Sequence, residues 1–309
     1  MARLVQPAAD GVAQAVDALR RGELIGLPTE TVYGLAADAT NDIAVRRIFS
    51  VKGRPETHPL IVHVAEALEL ANLTAEVTPL TRALTATFWP GPLTVIVRAN
   101  ENVSRAVTGG RDTVAVRCPA HPVAQAVIRA LGRPVAAPSA NRFGAVSPTT
   151  ATHVVADLGD DVDIVLDGGE CDVGLESTIV DCTADSLEVL RPGAVTVEQL
   201  HKLAATMSGP AWQRVTDGTA SESRAPGMMQ SHYAPRTRLI LHESGDRFDA
   251  HGAPVLDFSR DLTTAAHTLY AQLRALDTGH IELAHIVLPP PGGLGQAIRD
   301  RLTKAAAGR

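Results

Sequence analysis

The sequence predicts an α/β protein of two domains: a larger mixed sheet covered by helices, followed by a smaller parallel α/β unit of Rossmann-like type. Short apolar runs alternate with amphipathic helical stretches through the first two thirds of the chain. Residues 208–236 lack periodicity, and a β, β, α, β, α order follows them. A length of 309 residues is ample for two cores. We therefore predict domains at 1–207 and 237–309, joined by a linker or lid at 208–236.

The first elements follow from apolar spacing and from residues that begin or end helices. Asp10 is predicted to cap a helix that Gly22 ends. An apolar strand at 24–27 then leads into a polar loop at 29–34, and a helix is predicted at 41–51. This strand, loop and helix form the stretch around which the chain is organised, because the loop clusters hydroxyl groups and a carboxylate beyond what a plain connection needs.

The other elements are predicted in the same way, from apolar runs and from helical stretches opened by proline or closed by glycine. In the larger domain these are strands at 59–64, 93–97, 113–117, 134–141, 163–166, 177–180 and 187–190, and helices at 79–88, 122–131, 149–158 and 197–205. In the smaller domain they are strands at 238–242, 254–258 and 281–288, and helices at 262–276 and 293–306. Gly292, Gly293 and Gly295 do not form a GxGxxG motif after the first strand, so dinucleotide binding there is not expected.

Composition narrows the class of protein. An aromatic content of 3% leaves few rings for stacking single-stranded nucleic acid, and a net charge of −6 argues against a broad basic surface for RNA or membrane. No apolar stretch approaches the ~20 residues of a membrane span. Cys118, Cys171 and Cys182 lie far apart without a CxxC motif, which disfavours disulfides and zinc. We expect a soluble, cytoplasmic protein.

Two cations follow the predicted helix at 41–51. Lys52 and Arg54 are separated by one glycine and precede a proline, so the turn can direct both side chains at one anion. The alternative is a solvated helix C-terminus, where basic residues are common. Taken alone, the pair favours that alternative.

Polar groups also follow the predicted strand at 134–141. Ser139 and Asn141 offer a hydroxyl and an amide in a glycine-containing turn, the place where open α/β sheets bind ligands. Ordinary turn formation explains both residues equally well. Ser147 before Pro148 has the same two interpretations, as a phosphate-binding helix start or as a cap.

Two arginines end predicted strands. Arg117 and Arg191 are either rim residues or clamps for a carboxylate and a phosphate. His63, within an apolar strand, is more often a buried core histidine than a ligand or base, and His58 and His63 lack the spacing of a metal site. The sequence contains neither a GxxxxGK[ST] loop nor a GxSxG elbow.

The order of several motifs resembles the YrdC-like family. These motifs are PTETVYGL, KGRP, PLIVHV, FWPGPLTVIV, AVRCPAHP, APSANRFGAVSPT, ESTIVD, LRPGAV and PGMMQSHYAP. The C-terminal part is similar to that of the two-domain members, the threonylcarbamoyl-AMP synthases. The resemblance extends from about Gln6 to the last helix, and it implies a YrdC-like N-terminal domain.

The resemblance implies an activity: synthesis of L-threonylcarbamoyl-AMP from L-threonine, bicarbonate or CO2, and ATP, with release of pyrophosphate. A separate transferase complex would move the product to ANN-decoding tRNAs, so tRNA is at most an indirect partner. Mg²⁺ is expected to bind with ATP on its phosphates, with few or no protein ligands. Residues 226–228 and 232–235 are expected to lie across the pocket and exclude water from the product.

The resemblance also implies site residues. Lys52, Arg54, Ser139 and Asn141 correspond to the catalytic nucleotide-binding group. ATP is expected near Arg54, His58, Thr113, Ser139, Ser147, Arg191 and Tyr233. Threonine is expected near Thr31, His63, Arg117 and Ser177. His58 departs from the Asn or Ser expected at its position.

Two alternatives remain open at this point. One is a non-catalytic double-stranded RNA or ribosome-maturation protein, which the acidic balance and scarce aromatics disfavour. The other is a carbamoyl transferase, whose larger context of acylphosphatase-like and zinc-finger segments is absent from this sequence.

Overall fold

The structure is a computed structural model that describes residues 2–184, 187–207, 215–217, 225–227 and 231–308. Most of the predicted linker at 208–236 lies outside these residues, as does Met228 of the predicted lid. The domain limits at 207 and 236 therefore stay a prediction.

The described elements follow the predicted alternation closely. The strands are β1 Arg3–Val5, β2 Ile25–Leu27, β3 Gly34–Asp38, β4 Ile61–His63, β5 Leu93–Arg98, β6 Thr113–Arg117, β7 Val135–Ala136, β8 Ile164–Leu166, β9 Thr178–Asp181, β10 Leu187–Arg191, β11 Val215–Asp217, β12 Arg238–His242, β13 Val255–Asp257 and β14 Leu283–Val287. The α-helices are α1 Ala9–Arg20, α2 Asp42–Lys52, α3 Pro79–Phe88, α4 Arg105–Thr108, α5 Pro122–Leu131, α6 Ala151–Leu158, α7 Val197–Ala205, α8 Leu262–Thr278 and α9 Leu294–Ala306.

The larger sheet is mixed, as predicted. Its strand order is β1-β8-β2-β3-β7-β4-β6-β5-β9-β10-β11. It contains parallel pairs, such as β4 with β6, and antiparallel pairs, such as β5 with β6. Helices cover both faces of this sheet, and a separate apolar cluster fills the space on each side. Leu35 and Ala36, neighbours on β3, belong to the two different clusters, because successive side chains of a strand point to opposite faces.

The smaller sheet confirms the predicted parallel unit. Its strand order is β12-β14-β13, and both pairings are parallel. Helices α8 and α9 supply most of the apolar residues that cover it. The same apolar cluster includes Val32, Val146, Leu175 and Tyr233, so the core of the smaller unit continues onto the larger one.

Several sequence-based boundaries were wrong for identifiable reasons. Ala8, not Asp10, caps α1, and Asp10 lies in the first turn, where a carboxylate still favours the helix dipole. Strand β3 was missed because its buried residues show no polar alternation. The strand predicted at 134–141 shortens to β7 because Pro138 has no N–H to donate.

One strand lies in the stretch that the sequence predicted to lack regular structure. The backbone of β11 pairs in parallel with β10, so the segment at 215–217 extends the larger sheet. Among the described helices, none is long and apolar enough to cross a membrane.

Candidate active site

One cavity gathers polar side chains from strand ends, turns and the segment before β12. Its lining residues surround about 610 Å³ of space, part of which is open solvent. The residues that line it are Thr29, Thr31, Val32, Gly34, Lys52, Arg54, Ile61, His63, Arg117, Ala137, Pro138, Ser139, Asn141, Phe143, Glu176, Ser177, Arg191, Pro226, Gly227, His232 and Tyr233. Ten of the predicted site residues therefore share one cavity.

Lys52 ties helix α2 to the turn that follows β7. Gly53 ends the helix with a φ of 64°, and the lysine side chain is buried rather than solvated. Its Nζ donates to the carbonyl oxygens of Ser139 and Asn141, both at 2.5 Å. Burial and the neighbouring Arg54 hold the pKa of Lys52 well below its ordinary value. The family resemblance assigns these groups to one site, and in the structure they are in direct contact.

Arg54 presents a buried guanidinium to the cavity. Its Nη2 donates to the carbonyl of Pro59 at 2.8 Å, and its central carbon lies 6.0 Å from the ring centre of Phe143. Burial lowers the pKa of Arg54 to about 10, so the group remains protonated at neutral pH. Its Nε has no hydrogen-bond partner among the described residues.

The turn after β7 is held by its own amide groups. The side-chain amide of Asn141 donates to the carbonyls of Arg142 at 2.7 Å and Ala145 at 2.9 Å. The backbone N–H of Ala140 donates to the carbonyl of Tyr33 at 2.8 Å, which joins this turn to the polar loop before β3. Both turns therefore present their side chains to the same space.

Arg117 organises the opposite end of the cavity. It forms a buried ion pair with Glu30 at 2.7 Å, and its Nη1 donates to the hydroxyl of Thr31 at 2.7 Å. Burial alone would raise the pKa of Glu30, but the Arg117 charge outweighs it and the pKa lies below its ordinary value. Burial lowers the pKa of His63 to about 3, so this histidine is neutral.

Ser177 and Arg191 form the third wall. The hydroxyls of Ser177 and Thr94 share a hydrogen bond of 2.7 Å. Arg191 Nη2 donates to the carbonyl and the hydroxyl of Ser177, at 2.9 and 3.1 Å, and its Nη1 donates to the carbonyl of Pro226 at 3.1 Å. A cation of the larger sheet thus holds the short segment 225–227 against the cavity.

Tyr233 and His232 lie beside that segment, and both side chains are buried. Tyr233 adopts a φ of 61°, which is uncommon for a residue with a side chain. Gly227 leaves room for it, because a Cβ there would lie 2.3 Å from the Tyr233 hydroxyl. Burial lowers the pKa of His232 to about 3. A side chain at position 227 would therefore crowd the Tyr233 hydroxyl and the side chain of Arg191.

Besides Arg117 Nη2, which is ion-paired with Glu30, four buried polar atoms of this cavity lack a hydrogen-bond partner among the described residues: Arg54 Nε, Asn141 Oδ1, His232 Nδ1 and the Tyr233 hydroxyl. Each such atom costs about 1–3 kcal/mol if it stays unpaired. Two donors, an acceptor and a ring nitrogen directed into one space indicate a polar ligand.

Three predicted ATP contacts lie outside the cavity lining. His58 is half-buried, with its ring centre 5.7 Å from that of Phe143. Thr113 begins β6, and the hydroxyl of Ser147 donates to Glu176 at 2.6 Å. Their contacts with ATP stay predictions.

Sequence reasoning assigned no role to Glu30, Phe143 or Glu176. Glu176 stands next to Ser177 in the ESTIVD motif, which was the available signal. Burial opposes its ionisation, yet the guanidinium groups of Arg301 and Arg191 hold the pKa of Glu176 at about 2. Within the described part of the chain, no group of three or more His, Cys, Asp and Glu residues is placed to hold a metal ion.

Comparison with known proteins agrees with this architecture. A family model described as "Telomere recombination", of the Sua5, YciO and YrdC proteins, matches residues 17–193. A second, described as "Threonylcarbamoyl-AMP synthase, C-terminal domain", matches residues 195–307. Together they cover every described strand except β1.

Individual relatives match over nearly the whole chain. The threonylcarbamoyl-AMP synthase of Bacillus subtilis is 38% identical, covering 96% of this chain and 93% of the relative. That of Pyrococcus abyssi is 37% identical, covering 94% and 92%. The crystal structure of P. abyssi Sua5 complexed with L-threonine superposes with a TM-score of 0.90 at 34% identity, covering 99% of this chain and 98% of that one. The chain therefore belongs to the threonylcarbamoyl-AMP synthase family.

Proposed function

We propose that this chain makes L-threonylcarbamoyl-AMP from L-threonine, bicarbonate or CO2, and ATP, and releases pyrophosphate. One observation carries the proposal: the residues that the family resemblance assigns to threonine and most of those that it assigns to ATP line one cavity. Relatives that bear the name threonylcarbamoyl-AMP synthase support it.

The Arg117 end suits the amino acid. A guanidinium beside the hydroxyls of Thr31 and Ser177 can hold the carboxylate and hydroxyl of threonine. Because Glu30 is ion-paired with Arg117, its negative charge is offset by that guanidinium and does little to keep the amine protonated. The neutral amine adds to CO2, forming a C–N bond and a carbamate and releasing a proton to solvent.

The Lys52 end suits the nucleotide. A carbamate oxygen attacks the α-phosphate in line, and the bond between the α-phosphorus and the bridging oxygen breaks to release pyrophosphate. The free Nε of Arg54 and the guanidinium of Arg191 are the cations available to offset charge on the leaving group. Lys52 acts mainly by fixing the Ser139–Asn141 turn, since its Nζ is already bonded to two carbonyls of that turn.

Mg²⁺ fits this site if the phosphates of ATP, rather than protein side chains, bind it. The cavity carboxylate, Glu176, already accepts hydrogen bonds from Ser147, Tyr270 and Arg301, so none of the described lining residues offers a free carboxylate ligand. When bound, the metal would neutralise phosphate charge, and phosphate oxygens and water would supply its ligands.

The segment with Tyr233 supports the lid hypothesis. The product is a mixed anhydride that water destroys, and the described residues 225–227 and 231–235 cover part of the cavity. Tyr233→Ala should weaken ATP binding and lower product yield. Unchanged ATP affinity together with unchanged yield would exclude the lid. A separate tRNA threonylcarbamoyl transferase complex is the proposed recipient of the product.

The activity is tested by pyrophosphate release from ATP and Mg²⁺, measured with threonine and bicarbonate together and with each omitted. Release that requires both, with threonylcarbamoyl-AMP identified by mass spectrometry, is the expected result. Release that ignores threonine would favour a carbamoyl transferase. Salt-dependent RNA binding without release would favour the RNA-binding alternative.

A further inference from the structure

Two buried side chains of the smaller domain reach the wall of the cavity. Arg301, on α9, has no exposed surface, and its Nε donates to Glu176 Oε2 at 2.7 Å. The hydroxyl of Tyr270, on α8, donates to the same oxygen at 2.7 Å. Glu176 lines the cavity, whereas Arg301 and Tyr270 lie behind it.

The Glu176 carboxylate joins three parts of the chain. Its other oxygen accepts the hydroxyl of Ser147 at 2.6 Å, so both carboxylate oxygens are engaged. A buried carboxylate with these donors is ionised throughout the neutral range, which makes it a permanent anchor for the Arg301 charge.

Arg301 holds the residues that adjoin both Ser177 and Arg191. Glu176 immediately precedes Ser177, and Arg301 Nη2 donates to the carbonyl of Pro192, which immediately follows Arg191, at 2.9 Å. Ser177 and Arg191 are themselves bonded to each other. The guanidinium of Arg301 therefore holds the backbone next to Ser177 and next to Arg191, whose side chains line the cavity.

The same helix also holds the segment over the cavity. The Arg301 guanidinium carbon lies 5.1 Å from the ring centre of Tyr233, a cation–π distance. One turn later, Lys304 Nζ donates to the carbonyl of Gly227 at 2.7 Å. Both contacts place α9 against the parts of the site that do not belong to the larger sheet.

We propose that Arg301 is a positioning residue for the synthase reaction: through Glu176 and Pro192 it holds Ser177 and Arg191 where threonine and the phosphates meet. This inference rests on the proposed function. It assigns to the smaller domain a part in the active site, so that the larger domain alone would not reach the full rate of this chain.

The test compares Arg301→Met, Arg301→Lys and Tyr270→Phe in the full-length chain. Two controls are needed. Arg299→Met removes a cation of the same helix whose partners, Glu243 and the Pro289 carbonyl, lie within the smaller domain. Ile286→Ala makes a cavity in the core of the smaller sheet, and so lowers the melting temperature without touching the anchor.

All variants are assayed well below the lowest melting temperature, with kcat and KM determined for threonine and for ATP and with ATP affinity measured by calorimetry. Arg301→Met should lower kcat/KM by about 10- to 100-fold, because small displacements of positioned groups are costly. Arg301→Lys should recover part of the loss, since it restores the charge but not both bonds, and Tyr270→Phe should lose less. Both controls should stay within about twofold of wild type.

Wild-type kcat/KM and ATP affinity in Arg301→Met, or a loss no larger than that of Ile286→Ala, would overturn the positioning role. If Arg301→Met does not fold, wild-type kinetics in Arg301→Lys and Tyr270→Phe would overturn it equally. A wild-type chain without threonine-dependent pyrophosphate release would instead refute the proposed function, and the ATP affinities of the variants would still decide the role of Arg301.

Discussion

A double-mutant cycle can measure how much the ion pair between Arg117 and Glu30 contributes to stability. The variants are Arg117→Met, Glu30→Gln and the two together. Both side chains are almost completely buried, and the Nη2 to Oε2 distance is 2.7 Å. Removing one partner leaves a buried charge without compensation.

The expected loss of stability follows from the burial of both side chains. Losing one member of a buried pair costs about 3–5 kcal/mol, whereas replacing both by neutral groups costs much less. For a chain of this size, each kcal/mol lowers the melting temperature by about 2–4 °C. We expect Arg117→Met to melt about 6–20 °C below wild type, and the double variant to recover at least half of that loss.

Thermal unfolding followed by circular dichroism provides the measurement, and threonine affinity by calorimetry separates stability from binding. Arg117→Met and the double variant should both lose threonine binding by at least tenfold, since a charged hydrogen bond contributes about 1.5–3 kcal/mol. Arg46→Met, in an exposed pair with Asp42 at 3.9 Å, is the matched control and should change neither property. A double variant less stable than Arg117→Met would refute the coupling, and wild-type threonine affinity in Arg117→Met would refute the carboxylate clamp.

Three further predictions test other parts of the site. Because the pKa of Glu176 lies at about 2, against an ordinary 4.5, its ionisation contributes about 3 kcal/mol to the free energy of unfolding, which is present above pH 4.5 and is lost as the pH falls toward 2. In urea unfolding between pH 7 and pH 3, the free energy of unfolding should therefore fall less steeply for Glu176→Gln than for wild type, and equal slopes would contradict this. Lys52→Met removes two hydrogen bonds to buried carbonyls of the Ser139–Asn141 turn and should lower kcat/KM for pyrophosphate release by about a hundredfold or more; a loss under threefold would mean that the turn is stable without Lys52. Gly227→Ala should lower product yield, because a Cβ would clash with the Tyr233 hydroxyl at a φ of +81°; wild-type yield would show that this segment adapts freely.

Features that depend on neighbouring residues could be predicted from the sequence, whereas contacts between residues far apart in the chain could not. The strand-to-turn placement of Ser139 and Asn141, and the helix-to-turn placement of Lys52, follow from local spacing and from Gly53, so both were visible in the sequence. That Lys52 donates to the carbonyls of this turn, instead of facing solvent, depends on packing between residues almost ninety positions apart.

Functional residues such as Glu176 were missed by sequence analysis for one physical reason. Glu176 resembles any surface carboxylate in the sequence, and only the arrival of Tyr270 and Arg301 from helices about a hundred residues later makes it a buried anchor. The same network includes the hydroxyl of Ser147, which local spacing left open between two interpretations and which the family resemblance placed near ATP. Ion pairs of this kind carry no periodic signal, because their partners are chosen by the fold.

The amino-acid sequence by itself determined the two α/β units, the family, and the group of turns that supplies the cavity, since propensity, apolar spacing and motif order are local properties. Only the tertiary structure decided which of those polar groups face the cavity and which form hydrogen bonds and ion pairs that stabilise its walls. Burial is the reason: a charge removed from water must find its partner wherever the packed chain brings one, and that partner is set by the completed fold.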